Sequence, residues 1–510
     1  MIYLTICLFF IIVIFCCIYD CLKPRNYPPG PIWMPLLGCL PMYWWLYSKY
    51  QYNYRVFQAL SRRYGPILGL KFGKQKIVVI STHDLVKQLL LRDEFNGRPD
   101  GFLFRMRAFG KRKGVVFTDG ETWSQSRRFT MRHLRAFGMG QSIMKQQLTV
   151  EAENLVNYLQ EMSQRGAVKM DRVFDLAVLN SLWSIFAGHR FEYSDEKLRK
   201  VFTSVHEAFR QSNRTLIKLN VAFRLFNITG GLISQMPFLR FVMPELSGYN
   251  DLMRIIRELW SFLDEEIEVH KRELSDSQPG NLIDAFLLEV DKNKDPNFDR
   301  ESLLMLCLDL FLAGLKTTSD TLATTFLYLS LYPTWLKLLQ TELDRVVGRS
   351  RAPTEQDLPF LPMTEAFLAE ILRYFIMAPL GIPHRVMKDV ALNGYNIPKD
   401  TIVLFDSHSV HFDEEYWDEP SKFLPQRFLD EEGKFRQNNA SIPFGLGKRR
   451  CLGEGLARSS MFLFFTYVIH YFDLEVSHKH ERPELQAYDG FTMSPKPYYV
   501  KLSMRSDLKD

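Results

Sequence analysis

One stretch limits what this 510-residue chain can fold around: Pro443-Phe-Gly-Leu-Gly-Lys-Arg-Arg-Cys-Leu-Gly453. Gly445 and Gly447 can reach backbone angles closed to residues with a Cβ, so the segment can turn tightly against something flat. Cys451 follows, and Glu454 to Phe464 then reads as a helix. A thiol at a helix N-terminus feels the positive end of the helix dipole. With Arg449 and Arg450 beside it, Cys451 is expected to favour thiolate. A thiolate held by glycine turns in a cysteine-poor chain suits a soft metal. One cysteine and three glycines alone would sooner describe a buried thiol after a turn.

Of seven cysteines, four precede residue 22, and only Cys39, Cys307 and Cys451 lie beyond. That is no disulfide framework, and it places the body of the protein in a reducing compartment. The chain is 46% hydrophobic and 24% charged, enough to build a large core and too apolar for disorder. A net charge of +6 is mild for this size. It excludes any argument for nucleic acid and reads as a solvated surface, with an anionic membrane or acidic partner as the other reading.

Ile2 to Tyr19 is an uncharged run just long enough to span a bilayer. No Lys or Arg precedes it and bulky residues fill its end, so it reads as a retained anchor, not a cleaved signal. Lys23 and Arg25 follow, which puts the body on the cytosolic side of a single pass. Pro28-Pro-Gly-Pro31, Pro35 and Gly38 make a stiff link. Ile67–Phe72 and Lys76–Ile80 read as a β-hairpin, followed by a helix over 85–91 capped by Thr82 or Asp84. Residues 149–291 read mostly helical, and the apolar run Phe223–Met243 fits a core segment or a membrane contact about equally.

Glu301 to Tyr332 reads as a long helix stopped by Pro333, apolar nearly all round and therefore buried. Asp309 and Lys316 interrupt the run and argue against a second membrane span. A buried Lys316 needs an anion, and Asp320 and Asp309 share its face. Trp123 and Arg127 share a helix face, as do Glu370 and Arg373. Read alone, these are a cation–π pair and a surface salt bridge, Arg98 is a surface arginine and His384 a structural histidine.

Taken together, these pieces resemble the cytochrome P450 family. Phe444, Gly445, Gly447, Arg449, Cys451 and Gly453 match its cysteine-ligand loop. Ala313-Gly-Leu-Lys-Thr317 is similar to its oxygen-activation motif, and Glu370-Ile-Leu-Arg373 with Pro425-Gln-Arg427-Phe to its Glu-x-x-Arg and Pro-x-Arg-Phe elements. With Trp123-x-x-x-Arg127 and the proline-rich link, five motifs stand in the family's order along nearly the whole chain. Phe95-Asn-Gly-Arg98 and Pro383-His384 are similar to the microsomal class, in the animal group that holds the family-two enzymes, and to an arthropod member.

The resemblance implies a mostly α fold with small β-sheets (α+β). It implies an anchor over 1–21, a hinge over 22–41 and a haem-thiolate catalytic domain over 42–510. It implies haem b (iron protoporphyrin IX) with Cys451 as the iron ligand. Arg98, Trp123, Arg127, His384 and Arg449 would meet the propionates, and Phe444 would line the loop. Ala313, Gly314 and Thr317 would form the oxygen site. The function implied is monooxygenation of a lipophilic small molecule at the endoplasmic reticulum membrane. Electrons would come from NADPH through NADPH-cytochrome P450 reductase, with cytochrome b5 as a second carrier, and the basic Lys448 would face an acidic partner. Lys316 stands where the family has an acid. That departure motivates a second reading, a reductase-independent isomerase or dehydratase acting on a peroxide. A third is a non-catalytic haem carrier. Lys316→Glu is expected to leave haem binding intact.

Overall fold

The computed structural model describes residues 2–210, 234, 236–274, 278–292, 295 and 297–505. It is mostly helical with four small sheets. The anchor is helix Ile2–Cys21, none of whose apolar window is buried, whereas 78% of the corresponding window in helix Arg300–Leu331 is. That contrast separates a helix available to lipid from a core helix of similar composition. The predicted link is not a free tether. Gly69 N donates to Pro29 O at 2.7 Å and Cys39 N to Lys71 O at 2.7 Å, so it lies along the first strand. A Cβ at Gly30 would fall 1.9 Å from Gly69 O, which explains the glycine. Asp20, at the foot of the anchor, pairs with Lys71 and accepts from Leu36 N at 2.8 Å.

The main sheet runs Ile67–Phe72, Gln75–Ile80, Ile402–Phe405, His384–Arg385. The hairpin is the one read from sequence, with Ile67 opposite Ile80. Its second strand pairs in parallel with Ile402–Phe405, Ile77 opposite Ile402, and that strand carries His384 opposite Val403. A sheet joined across more than 300 residues thus brings His384 beside the segment after Phe95. A bridge between Gly97 and Arg385 closes the junction.

A large helical core forms around helix Arg300–Leu331, and a second core fills the space beneath the main sheet. The long helix starts at Asp299, whose side chain accepts from Ser302 N at 2.7 Å, and ends where Pro333 begins the next helix. Helix Glu454–Tyr471 runs seven residues beyond the predicted Phe464, because its second half is buried almost completely. The helix predicted over 85–91 spans His83–Leu91, and neither Thr82 nor any other N-cap side chain bonds its end. Of the run Phe223–Met243, residues 223–233 and 235 lie outside the described residues. Met236, Phe238, Phe241, Val242 and Met243 are exposed.

Candidate active site

The cysteine loop folds as its glycines require. Gly445 and Gly447 have φ of 71° and 68°. A Cβ at Gly447 would stand 2.1 Å from Leu90 O, so the loop touches the helix before Phe95 backbone to backbone. Cys451 N donates to Phe444 O at 2.9 Å, closing the turn, and helix Glu454–Tyr471 starts three residues on. Cys451 is open to solvent along one side while protein crowds the rest. Burial pushes the thiol up, and the Gly453 N–H, Arg127 and Arg450 do not offset it. Arg449 turns away, donating to Asn96 O and to Thr118 O, both at 2.7 Å, and Arg450 pairs with Glu454 at 2.6 Å. A coordinating metal is what deprotonates such a thiol.

Around the loop the structure gathers the residues read from sequence. Arg449 lies 3.8 Å over the Trp123 ring and Arg127 lies 5.8 Å from it. Arg127 donates to Arg450 O at 2.8 Å. Arg98 is 4% exposed and donates to Ile382 O and Pro383 O at 3.2 and 3.0 Å. Its Nε is buried without a partner among the described residues. His384 Nδ1 sits 2.7 Å from Phe95 O, which leaves Nε2 as the free face of the ring. Arg458 covers the half-buried Phe444 ring at 4.8 Å.

The electrostatics of this cluster are lopsided. Burial and then the Arg127 charge lower Arg98 to about 9, and burial and then Arg98 lower Arg449 to about 8. Burial, Arg98 and Arg449 push His384 well below the usual imidazole range. The nearby carboxylate, Asp119, is already committed. It accepts from Arg98 N at 3.1 Å, from Arg112 at 2.9 Å and from Arg385 at 2.7 Å. Asp119 was not singled out in the sequence. Its signal was its place before Gly120 at the start of the Trp123 helix. Crowded, desolvated guanidinium groups need anions. Two carboxylates on a flat ring would supply them, and the glycine-turned loop presents one thiol to that ring's metal. The donor set fits haem: Cys451 would take the iron, and Arg98, Trp123, Arg127, His384 and Arg449 are the candidates to hold the propionates.

On the long helix, Ala313 is exposed within an otherwise buried element, and Thr317 Oγ1 donates to Ala313 O at 2.9 Å one turn back. Gly314 faces elsewhere. A Cβ there would meet Leu182 Cδ2 at 2.5 Å, so its missing side chain serves close packing on helix Asp175–Phe186. Lys316 is fully buried and paired with Asp320 at 2.5 Å, and Asp320 also accepts from Ser494 Oγ at 2.6 Å. Asp309, the other candidate partner, instead pairs with Arg107 and accepts from Val115 N and Val116 N at 2.7 and 2.8 Å. Glu370 and Arg373 are both fully buried, joined by two 2.7 Å bonds, with Arg427 on Glu370 at 3.3 Å. The isolated-pair reading, a weak surface bridge, is overturned by that burial.

The chain matches the family model described as "Cytochrome P450" over residues 28–502. It is similar to the farnesoate epoxidase of Bombyx mori, 34% identical over 483 residues and 95% of each chain. It is also 34% identical to the probable cytochrome P450 305a1 of Drosophila melanogaster, over 97% of each chain. To cytochrome P450 2J3 of Rattus norvegicus it is 34% identical over 93% of this chain and 90% of the relative. With the cysteine loop, the cation cradle and the fold all pointing the same way, this chain belongs to the cytochrome P450 family, the haem-thiolate monooxygenases.

Proposed function

We propose that this protein is an NADPH-driven monooxygenase of a lipophilic small molecule, anchored by residues 1–21 in the endoplasmic reticulum membrane. Its hinge is 22–41, and its catalytic domain, 42–510, lies in the cytosol. The observation that carries the reading is the cluster of Arg98, Arg127, Arg449 and His384, with Arg98 and His384 buried and the other two half-buried, built onto the Cys451 loop. Haem bound there supplies reductive activation of O2 and insertion of one oxygen atom. The protein's part is to hold and orient. Cys451 Sγ would bind the iron, presented by the turn at Gly445 and Gly447. Arg98, Arg127 and Arg449 would neutralise the propionates, Trp123 and His384 would donate hydrogen bonds to them, and an anion beside His384 Nε2 would favour a proton there. Ala313 leaves room on the long helix, and Gly314 lets that helix seat against Leu182. Thr317 holds a proton at Oγ1 and can pass it when the hydroxyl rotates away from Ala313 O. Lys316 takes no part in that transfer, because its Nζ is buried on Asp320.

NADPH-cytochrome P450 reductase, and cytochrome b5 as a second donor, would dock near the cysteine loop. Arg128, Arg132 and Arg135 are exposed on the Trp123 helix around a recess of about 550 Å3, a surface suited to an acidic partner. Lys448, by contrast, is engaged with Asp93 at 2.7 Å and is available only if that exposed pair opens. The exposed Met236, Phe238, Phe241, Val242 and Met243 suit contact with the bilayer beside the anchor. The pairing of Lys316 removes the motive for the isomerase reading.

The test is turnover by full-length protein in bilayers with reductase and NADPH. The substrate panel is led by sesquiterpenoid acids, the chemistry named for the silkworm relative, with steroids and fatty acids beside them. Product one oxygen atom heavier, labelled from 18O2 and dependent on reductase, is the expected result. Rearrangement of a hydroperoxide without reductase, with no oxygen gained, would overturn it.

A further inference from the structure

Away from the cysteine loop, two histidines and a glutamate converge. Glu266 and His270 lie one turn apart on helix Tyr249–Glu273, so their side chains share a face. His189 follows helix Asp175–Phe186 and reaches the same spot. The ligating atoms of the three residues all lie within 4.8 Å of one another. His189 Nε2 is in hydrogen-bond contact with Glu266 Oε1, and His270 Nε2 is 3.7 Å from the same oxygen. The two rings are nearly parallel, 26° apart, with centroids separated by 6.4 Å.

What separates this group from an ordinary ion pair is its backing. The remaining nitrogen of His270, Nδ1, is 2.9 Å from Asp284 Oδ1. Asp284 is itself held by Asn281 Nδ2 at 2.8 Å and Gly280 N at 3.2 Å. A carboxylate behind an imidazole fixes the tautomer so that Nε2 offers its lone pair, the arrangement usual behind metal-bound histidines. Glu266 Oε1 stands between the two imidazoles, so one cation placed there meets all three donors.

We propose that His189 Nε2, His270 Nε2 and a Glu266 carboxylate oxygen form a site for a first-row divalent cation of the zinc class, with Asp284 as the outer carboxylate. Two imidazoles and one carboxylate are an established donor set for such ions, and water completes a tetrahedron on the half-exposed His189 side. Tetrahedral bonds of about 2.0–2.1 Å set donors roughly 3.3 Å apart, so the most distant pair closes by up to about 1.5 Å and His189 moves off Glu266, shifts that the exposed His189 can make. The Trp183 indole N–H, 3.3 Å from His189 Nε2, gives up that contact. The site clips the turn after helix Asp175–Phe186 to helices Tyr249–Glu273 and Leu282–Lys292, and so braces the elements packed on the long helix.

The experiment uses full-length, tag-free holoenzyme treated with chelator and then titrated with Zn2+ by calorimetry and by zinc K-edge absorption, an edge that haem iron does not obscure. The expected result is one zinc per chain, micromolar or tighter, with a shell of about four nitrogen and oxygen donors at roughly 2.0–2.1 Å. His189→Ala abolishes that binding while the haem spectrum is unchanged. Asp284→Asn keeps the stoichiometry and weakens affinity about 10–100-fold. Binding weaker than millimolar, a shell containing sulfur, or zinc uptake unaltered in His189→Ala would each overturn the proposal and leave the cluster a proton-linked ion network.

Discussion

Two regions of this molecule bury arginine, and they treat it in opposite ways. Arg373 is fully buried, and its guanidinium meets both oxygens of Glu370 and the carbonyls of His411, Pro420 and Lys422. Arg98 is almost as deeply buried, yet among the described residues its side chain meets two carbonyls, keeps an unpartnered Nε and has Arg127 and Arg449 for neighbours. The first arrangement is finished within the chain. The second, on the function proposed above, would be completed by the cofactor's carboxylates. Buried positive charge with its carboxylate is scaffold, and buried positive charge without one is a binding site. Lys316 belongs with the first kind, closed on Asp320.

The sharpest way to break that distinction is to unbalance the scaffold. Arg373→Leu strands Glu370 in the core beside Arg427 and is expected to cost about 3–5 kcal/mol, read as a fall in unfolding midpoint. Lys316→Leu should cost a similar amount by stranding Asp320. Adding Asp320→Leu should recover most of it, since an apolar pair of like volume replaces a buried ion pair at little net cost. A double variant no better than the single would show that Asp320 is held for another reason. Lys316→Glu, expected from sequence to leave haem binding intact, puts a second carboxylate against Asp320 and should destabilise the fold more than Lys316→Leu.

Opening the cradle should act on the cofactor and leave the fold standing. Arg127→Leu removes one of several crowded cations and one exposed hydrogen bond. Its unfolding midpoint should hardly move, while haem transfer to a scavenger protein should quicken about 10–100-fold, the worth of one charged hydrogen bond. A large loss of stability with unchanged haem retention would reverse the assignment.

The effect smallest per step of the measurement is a pH slope. Burial, then the Arg373 charge, pushes His411 down to about 3, and its Nε2 accepts from Ile442 N at 2.9 Å. The unfolded histidine, near 6.5, takes a proton first as pH falls, so stability drops between about 6.5 and 3 and is flat above that range. His411→Gln, which keeps an acceptor, should flatten denaturant midpoints over that window by about 1.4 kcal/mol per pH unit. An unchanged slope would mean that burial does not hold His411 neutral in the folded chain.

Much of this was legible in sequence because it is local. Glycines spaced two apart before a cysteine, an uncharged run long enough to span a bilayer, a hairpin with matched apolar faces and a helix apolar all round each declare themselves within a short stretch. The cysteine loop was legible because its glycines and thiol are neighbours in sequence, while the burial that pushes the thiol up comes from the packing around it. Gly314 read as room for oxygen because the sequence does not reveal that Leu182 packs against it.

By itself the sequence determined the anchor, the thiol and its loop, and the need of Lys316 for an anion, because each follows from residue chemistry and short-range spacing. Tertiary structure decided which anion answers which cation. Asp320 lies one turn from Lys316, whereas Asp309 is drawn off by Arg107 and two backbone amides from another segment. Likewise, a parallel strand pairing across more than 300 residues places His384 beside Phe95, and Asp119 pairs directly with Arg112 and Arg385 while it meets Arg98 through the backbone N–H. Charge balance at a buried site is a property of everything packed around it, and no stretch of chain carries that sum alone.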